Sequence, residues 1–233
     1  MTPLLPSVTE ERPRTQSERA ALSDRRMTEA AIRLLVERGT AGATLKAIGE
    51  EAGYSRGLAT HRFGSKAGLF RHLIKHVSNL WVEQLERGVG EKSGVEALTT
   101  AVDVHYRFLR EAPEAVRAMY ILWLASVDPS SRFKANVAEI HRAQRAGVEE
   151  WVRRGQSRGE VRDDLDPVRA AEQFVALIAG ITFQWLVNPQ MPLKAMHEAL
   201  KREIRFLLAP SRSAGPDGAA EPTDTNFRTK SPG

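Results

Sequence analysis

The sequence predicts an all-α fold of about nine helices, and two observations carry that prediction. Apolar residues recur at three- and four-residue steps along most of the chain, which is the spacing that lines one face of an α-helix. No segment alternates apolar and polar residues between hairpin turns, so strands are not expected. Glycine, proline and capping residues divide the apolar pattern into separate helical segments.

Residues 1–87 are predicted to form an N-terminal arm followed by four helices. Hydroxyl residues suited to N-capping stand before three of the helices, at Thr44, Ser55 and Ser65, and glycines follow the helix ends. The expected segments are a disordered arm over residues 1–16, a helix from Ser17 that ends at Gly39, short helices over 45–52 and 55–63, and a connecting helix over 65–87.

The remaining residues also read as helices. Pro113 and Pro167 suit first-turn positions, and Asp166 is a natural cap before Pro167. The expected helices span residues 95–111, 113–126, 131–156, 167–187 and 193–208, within a unit over residues 88–209. Residues 210–233 are polar and rich in glycine, proline and serine, so we expect a disordered tail.

The composition limits the class of protein. The 233 residues are 42% hydrophobic and 27% charged, which provides enough apolar material for a folded core. The chain has no cysteine, which excludes disulfides, cysteine-ligated zinc, iron–sulfur clusters and thiol catalysis. The longest apolar run, residues 174–187, contains Gln184 and is shorter than the roughly 20 residues that span a bilayer. Because the first residues also lack the apolar core of a signal peptide, we expect a cytoplasmic protein with no membrane partner.

Residues 44–63 place two short helices around a tight turn, which is the sequence pattern of a helix-turn-helix. The second helix of such a unit docks its inner side and presents small or polar side chains outward. Tyr54, Ala59 and Phe63 are suited to the inner side. No acidic residue occurs from residue 52 to residue 82, a stretch with five lysines and arginines that would attract a polyanion. Charge alone is equally consistent with a solvated positive helix face.

The run TLKAIGEEAGYSRGLATHRFGSKAGL over residues 44–69 resembles the DNA-binding region of TetR-type transcriptional repressors. The resemblance is specific over residues 20–75. The run GEVRDDLDPV over residues 159–168, before a long apolar helix, is similar to many members of that family. The resemblance implies a helix-turn-helix DNA-binding domain over residues 17–64. It also implies a C-terminal helical domain over residues 88–209 for ligand binding and dimerisation.

The resemblance further implies a set of DNA-contacting positions. A guanidinium can bond guanine O6 and N7 with two parallel donors, so Arg56 is the expected base-reading residue, with a phosphate contact as the alternative. Two aromatic positions of the family are occupied here by Thr60 and Arg62, which are expected to bind phosphate and leave the sequence preference open. The expected DNA-binding residues are Thr44, Lys46, Ser55, Arg56, Gly57, Leu58, Thr60, His61, Arg62 and Lys66.

The C-terminal half is expected to hold a small-molecule effector and a homodimer interface. The effector pocket follows from the family layout, because cavities are not visible in a sequence. Its expected lining is His105, Tyr106, Phe108, Met119, Tyr120 and Trp123. The last two helices are expected to pair with their copies, unless they are buried inside one subunit. The expected interface residues are Phe174, Leu177, Ile178, Ile181, Trp185, Met196, Leu200 and Ile204.

Three short patterns resemble a hydrolase nucleophile elbow, a zinc site and a calcium site. Each of them lacks a part that its site requires. The run from Gly53 to Gly57 matches G-x-S-x-G, but a nucleophile elbow needs a preceding strand, and the residues before it have helical spacing. His72 and His76 have the spacing of a helical zinc pair without a third ligand, so we expect them on an outer helix face. Aspartates within residues 163–166 lack the glycine and glutamate of an EF-hand loop, which favours a capping loop. We expect no catalytic residue, no metal site and no cofactor.

These residues together predict a ligand-responsive transcriptional regulator. We expect it to act as a repressor, to bind a near-palindromic double-stranded operator as a homodimer, and to be released by a small-molecule effector. The alternative is a ligand-responsive α-helical binding protein whose DNA-binding motif is vestigial. The two differ in the ratio of operator affinity to random-DNA affinity across a salt series.

Overall fold

A computed structural model describes residues 15–210 of the chain. That range contains nine helices and no strand, so the all-α prediction is confirmed. The helices are α1 (Gln16–Gly42), α2 (Leu45–Glu51), α3 (Arg56–Phe63), α4 (Lys66–Val89), α5 (Gly94–Glu111), α6 (Pro113–Ala125), α7 (Lys134–Ser157), α8 (Pro167–Val187) and α9 (Leu193–Leu208). The expected arm and tail fall outside the described residues, apart from residues 15, 16 and 210.

Helix α1 begins with a reciprocal cap and contains a kink. The Thr15 hydroxyl accepts a hydrogen bond from the Glu18 N–H, and the Glu18 carboxylate accepts one from the Thr15 N–H. The expected end at Gly39 is confirmed, because the backbone leaves the helical conformation there, with φ at +63°, and a separate turn then continues to Gly42. The Ala43 N–H closes that turn by donating to the Gly39 carbonyl at 3.3 Å.

Short helices α2 and α3 begin and end where the capping residues predict. The Thr44 hydroxyl accepts from the Ala47 N–H at 3.1 Å, and the Ser55 hydroxyl accepts from the Leu58 N–H at 3.2 Å. Gly53 adopts φ +77° in the intervening turn, a conformation that residues with a Cβ rarely adopt. These local features set the angle at which α3 leaves α2.

The helices pack around one continuous apolar core that runs from α1 to α9. Helix α1 packs against α2 and α6, and α3 packs against α2 and α4. Helix α5 contacts α4, α6, α7 and α9. Helix α7 also packs against α8. The α1–α6 and α4–α5 contacts therefore connect the N-terminal helices to the C-terminal half.

Two helix boundaries differ from the expected ones because of tertiary packing. Helix α7 begins at Lys134 rather than residue 131, because Phe133 is buried and packs edge-to-face on Phe70, with ring centroids 5.7 Å apart. Helix α4 continues to Val89, beyond the expected end at residue 87, because Val89 is buried in a small apolar cluster with two α5 alanines.

Candidate nucleic-acid interface

Helix α3 is attached to the protein by one narrow side. Ala59 is fully buried and Phe63 is 7% exposed, and these two residues stand one helical turn apart. At about 100° per residue, Gly57 and His61 point about 160° away from Ala59, so they occupy the outermost positions. Both are exposed, as are Arg56, Leu58, Thr60 and Arg62 on the same helix. The outward side of α3 is therefore open to a large partner.

The structure brings the predicted DNA-binding residues onto one part of the surface formed by α2, α3 and the start of α4. Nine of them are exposed and Lys66 is half-buried; the exposed ones are Thr44, Lys46, Ser55, Arg56, Gly57, Leu58, Thr60, His61 and Arg62. The hydroxyl oxygens of Thr44 and Ser55 accept capping bonds, which leaves each hydroxyl proton available for a phosphate oxygen.

The four Lys and Arg side chains among these residues differ in their partners. Lys46 pairs with Glu50 at 3.8 Å, Arg62 pairs with Asp24, and Lys66 donates to the Ala41 carbonyl at 3.3 Å. Arg56 makes no hydrogen bond or ion pair with any residue in the described range, 15–210. Arg56 is therefore the cation of α3 that is free to meet a new acceptor.

His72 departs from the expected outward position. Its Nε2 lies 3.0 Å from the Thr28 hydroxyl on α1, and its ring packs 5.2 Å from the Phe63 ring on α3. Half-burial lowers the pKa of His72, and the nearby Arg62 and His76 lower it further, while Asp24 acts in the opposite direction. His72 therefore joins α1, α3 and α4 as a neutral group at pH 7, instead of facing solvent.

The predicted pocket residue His105 lies inside the protein, in a chain of hydrogen bonds that sequence analysis did not find. His197 Nδ1 donates to the Leu193 carbonyl at 2.8 Å, so its Nε2 accepts from His105 Nδ1 at 2.9 Å. The Thr182 hydroxyl lies 3.0 Å from His105 Nε2 and 2.8 Å from the Ile178 carbonyl, so these two acceptors share its single proton. Burial lowers the pKa of His105 to about 3, and burial also lowers that of His197, so both rings are neutral.

Of the other predicted pocket residues, Tyr106 packs on the His197 ring, with ring centroids 5.5 Å apart. Phe108 and Met119 are buried in the core, and Trp123 packs against Tyr120 and His141. The Tyr120 hydroxyl donates to the Ala179 carbonyl, and burial raises the pKa of Tyr120 to about 12.

An open cleft of about 530 Å³ lies between α5 and the α8–α9 loop. Of the predicted pocket residues, Tyr106 lines this cleft. Trp185, which was expected at the dimer interface, also lines it, together with Leu193 and Lys194, which the sequence did not single out. This cleft is an open surface beside the predicted residues, and it meets them at Tyr106. The α8–α9 loop that forms one wall has no periodic pattern that would have indicated a binding site.

The predicted dimer residues fall into two groups. Ile181, Leu200 and Ile204 are buried in the subunit's own core, because these positions of α8 and α9 face inward to the helices beneath. Leu177 is 52% exposed, whereas Phe174, Ile178, Trp185 and Met196 are half-buried. Large exposed apolar residues that the prediction missed are Val168, Phe183 and Val187 on α8, and Phe206 and Leu207 on α9.

Helix α8 is long and apolar enough to cross a membrane by length and composition, and 17% of that apolar window is buried in the protein. The helix begins at the Asp166 cap, whose carboxylate accepts from the Val168 and Arg169 N–H groups, as a capping loop predicts.

Within residues 15–210 no group of three or more acidic or histidine side chains is placed to hold a metal ion.

Two family profiles match the chain. The profile described as bacterial regulatory proteins, tetR family, matches residues 28–73, and the profile described as BetI-type transcriptional repressor, C-terminal, matches residues 94–209. A similar protein is the HTH-type transcriptional regulator BetI of Burkholderia mallei, 25% identical over 190 residues, which are 79% of this chain and 92% of that protein. The corresponding regulator of Burkholderia ambifaria is 30% identical over 77 residues, 33% of this chain and 40% of its own length.

Solved structures share the fold. A complex of SmeT with triclosan superimposes with a TM-score of 0.70 at 22% identity, over 87% of this chain and 98% of that one. SmeT is described as the repressor of a Stenotrophomonas maltophilia multidrug efflux pump. The regulator FadR of Bacillus subtilis, in complex with stearoyl-CoA, gives a TM-score of 0.69 at 19% identity, over 78% and 97%. The family profiles, the BetI relatives and this shared fold together show that the chain belongs to the TetR family of DNA-binding transcriptional regulators.

Proposed function

We propose that this regulator represses transcription by binding a near-palindromic operator as a homodimer, and that a small-molecule effector releases it. The exposed outer side of α3, held by Ala59 and Phe63 and carrying the unpaired Arg56, is the single observation that supports this most strongly. A recognition helix held in this way can enter the major groove while its inner side stays docked. The C-terminal profile and the SmeT relative are both described as repressors, which favours repression over activation.

In this proposal Arg56 reads a base edge and the surrounding polar groups position the helix. A free guanidinium matches the O6 and N7 acceptors of guanine, while the Thr44 and Ser55 hydroxyls and the Thr60 side chain suit phosphate oxygens. Leu58 is 37% exposed on the same side and suits contact with a thymine methyl group.

The homodimer is proposed from the exposed apolar residues of α8 and α9. Leu177 and Phe183 of α8 are 52% and 44% exposed, and Phe206 of α9 is 81% exposed. Large exposed apolar side chains that a partner can cover together usually mark an interface. Exposed Glu172 and Gln184 interrupt the apolar surface of α8, which favours a second protein copy over lipid as its cover. A two-fold pairing of α8 and α9 would make a four-helix bundle and orient two α3 helices for successive major grooves.

The effector is proposed to bind in the C-terminal half, at or beside the predicted residues. The relatives of the same fold were solved with triclosan and with stearoyl-CoA, so this architecture accommodates ligands with large apolar parts. The cleft lined by Tyr106 and Trp185 gives such a ligand an aromatic wall. Release from DNA requires that the effector bind more tightly to a state in which the two α3 helices no longer match the operator.

Selection of bound duplexes from a random DNA pool tests the proposal. We expect two inverted half-sites whose centres are separated by about 10 base pairs or a multiple, because successive major grooves repeat about every 34–36 Å. The same selection with Arg56→Ala is the matched control, and it should lose the preference at one position of each half-site. Enrichment of a single, unrepeated half-site would contradict the dimer, and no enrichment at all would contradict operator recognition.

A further inference from the structure

Asp24 of α1 lies beside the DNA-facing helix and binds one of its arginines. We propose that Asp24 is a positioning residue of the DNA interface. It holds the Arg62 guanidinium against α1, away from the phosphate backbone, and thereby limits the affinity for non-specific DNA. This role differs from the direct phosphate contact that the sequence predicts for Arg62.

The position of Arg62 on α3 explains why α1 can reach it. Arg62 follows Ala59 by three residues, so it lies only about 60° from the buried side of the helix. Its Nη2 is 2.5 Å from Asp24 Oδ2, and the two side chains are 43% and 33% exposed. The guanidinium therefore lies at the edge of the docked side and not at the outermost part of α3.

The surroundings of this ion pair hold both partners in place. The Thr28 hydroxyl lies 2.8 Å from the Asp24 carbonyl and 3.0 Å from His72 Nε2, which fixes this part of α1 against α4. Phe63, next to Arg62 in sequence, packs on the same histidine ring. The ion pair thus belongs to a junction of three helices whose geometry does not depend on the pair alone.

The electrostatic consequence follows from the neutrality of the pair. A phosphate that approaches Arg62 also approaches the Asp24 carboxylate, so attraction and repulsion nearly cancel. Non-specific affinity comes almost entirely from phosphate contacts, and it competes with operator binding at every other site on the DNA. By neutralising one arginine, Asp24 raises the ratio of specific to non-specific affinity.

The salt dependence of binding to a random-sequence duplex tests this role. In Asp24→Asn the freed guanidinium should gain one phosphate contact, so the slope of log affinity against log salt should steepen by about 0.9 for each protomer bound. Between 50 and 200 mM salt this amounts to an additional loss of affinity of about threefold to fourfold per protomer. Asp24→Glu keeps the carboxylate and should keep the natural slope.

Two controls separate this effect from a general change of charge. Glu149→Gln frees Arg153 on α7, from an ion pair of similar exposure to the Arg62–Asp24 pair, and should leave the slope unchanged because α7 lies in the C-terminal half. The Asp24→Asn change should also have no effect on the slope in an Arg62→Met background, since no guanidinium is then released.

Three results would overturn the proposal. A shallower slope for Arg62→Met alone would mean that Arg62 already contacts phosphate. A steeper slope for Asp24→Asn that persists in the Arg62→Met background would assign the effect to the lost carboxylate charge. An unchanged slope with weaker binding and a lower melting temperature would mean that the pair only stabilises the fold. Because slopes are compared per protomer, the test does not depend on the proposed homodimer.

Discussion

Helices α3 and α8 each bury only a few residues, but they expose different chemistry. Helix α3 buries Ala59 and Phe63 and presents polar and cationic side chains. Helix α8 is 21 residues long, buries only Ala171, Ile181 and Thr182, and presents mainly apolar side chains. Helix α3, with 8 residues, would not be stable alone, since isolated helices shorter than about 12–15 residues are marginal in water.

The difference indicates what each surface binds. Exposed cations and hydroxyls are well solvated in water. When the cations neutralise phosphates of a polyanion, the polyanion releases counterions, and this release favours binding. Exposed leucine and phenylalanine side chains gain about 25 cal/mol for each Å² that a partner removes from water. The chemistry of the outer side therefore agrees with the proposed DNA contact of α3 and with the proposed dimer contact of α8. The variants below test that contrast, beginning with the largest expected effect.

The paired substitution of Leu177→Glu and Phe183→Glu tests the apolar surface of α8. Charges at these exposed positions should prevent two copies from associating, and sedimentation should give the mass of a single chain. A monomer holds one half-site at a time, so operator affinity should fall about 100-fold or more. Val82→Glu on α4, at a residue 45% exposed, is the matched control and should remain dimeric. A double variant of dimeric mass would show that α8 does not form the interface.

The Arg56→Ala substitution tests the free cation of α3. If the guanidinium reads guanine, operator affinity should fall by about 1–3 kcal/mol, with a smaller loss on a scrambled duplex. Lys46→Ala is the control, because its ammonium already pairs with Glu50 at 3.8 Å and is less available for a base edge than the Arg56 guanidinium. Its loss should be the same on both duplexes. Equal losses on both duplexes for Arg56→Ala would exclude base readout and leave a phosphate contact.

His105→Gln tests the buried polar contact of α8. Because the pKa of His105 is about 3 in the folded chain and near 6.5 when unfolded, only the unfolded chain takes up the proton between these values. The free energy of unfolding should therefore fall by about 2 kcal/mol between pH 6.5 and pH 5 on account of this residue. Glutamine keeps one donor toward His197 and one acceptor for Thr182 but does not titrate.

Denaturant unfolding at the two pH values measures this effect. The variant His105→Gln should lose that part of the pH dependence, whereas His61→Gln, at an exposed position of α3, should retain it. An unchanged pH dependence in His105→Gln would mean that the buried ring does not stay neutral.

The Ser55→Ala substitution has the smallest expected effect and tests how α3 begins. Loss of the bond from the Leu58 N–H to the Ser55 hydroxyl should lower the free energy of unfolding by about 1 kcal/mol. Ser55→Thr should restore it, because threonine also caps. Ser157→Ala, at an exposed serine that is not an N-cap, is the control and should change stability by less than about 0.5 kcal/mol. No loss in Ser55→Ala would show that docking by Ala59 and Phe63 alone holds the helix.

The residues that sequence analysis identified most reliably act through their immediate neighbours. Thr44, Ser55 and Asp166 bind N–H groups two or three residues away, so their capping role is visible in a short window of sequence. The bounds of α8 and α9 agree with the expected spans for the same reason. Ala59 and Phe63 stand four residues apart, which is enough to predict the inner side of α3.

The residues that were placed differently interact with partners far along the chain. Arg62 meets Asp24 from another helix, and His72 meets Thr28, 44 residues earlier. His105 and His197 are 92 residues apart and both neutral because they are buried together. No local pattern distinguishes a free arginine from one bound to a distant carboxylate.

The sequence by itself determined the nine helices of residues 15–210, the caps at Thr44, Ser55, Ser65 and Asp166, and the helix-turn-helix, because these depend on hydrogen bonds and periodicity within a few residues. Only the tertiary structure decided which cations are free, which apolar residues of α8 and α9 face outward, and where a ligand could enter. Those properties depend on which distant side chains a helix meets when it packs, and packing brings together residues whose separation in sequence carries no signal.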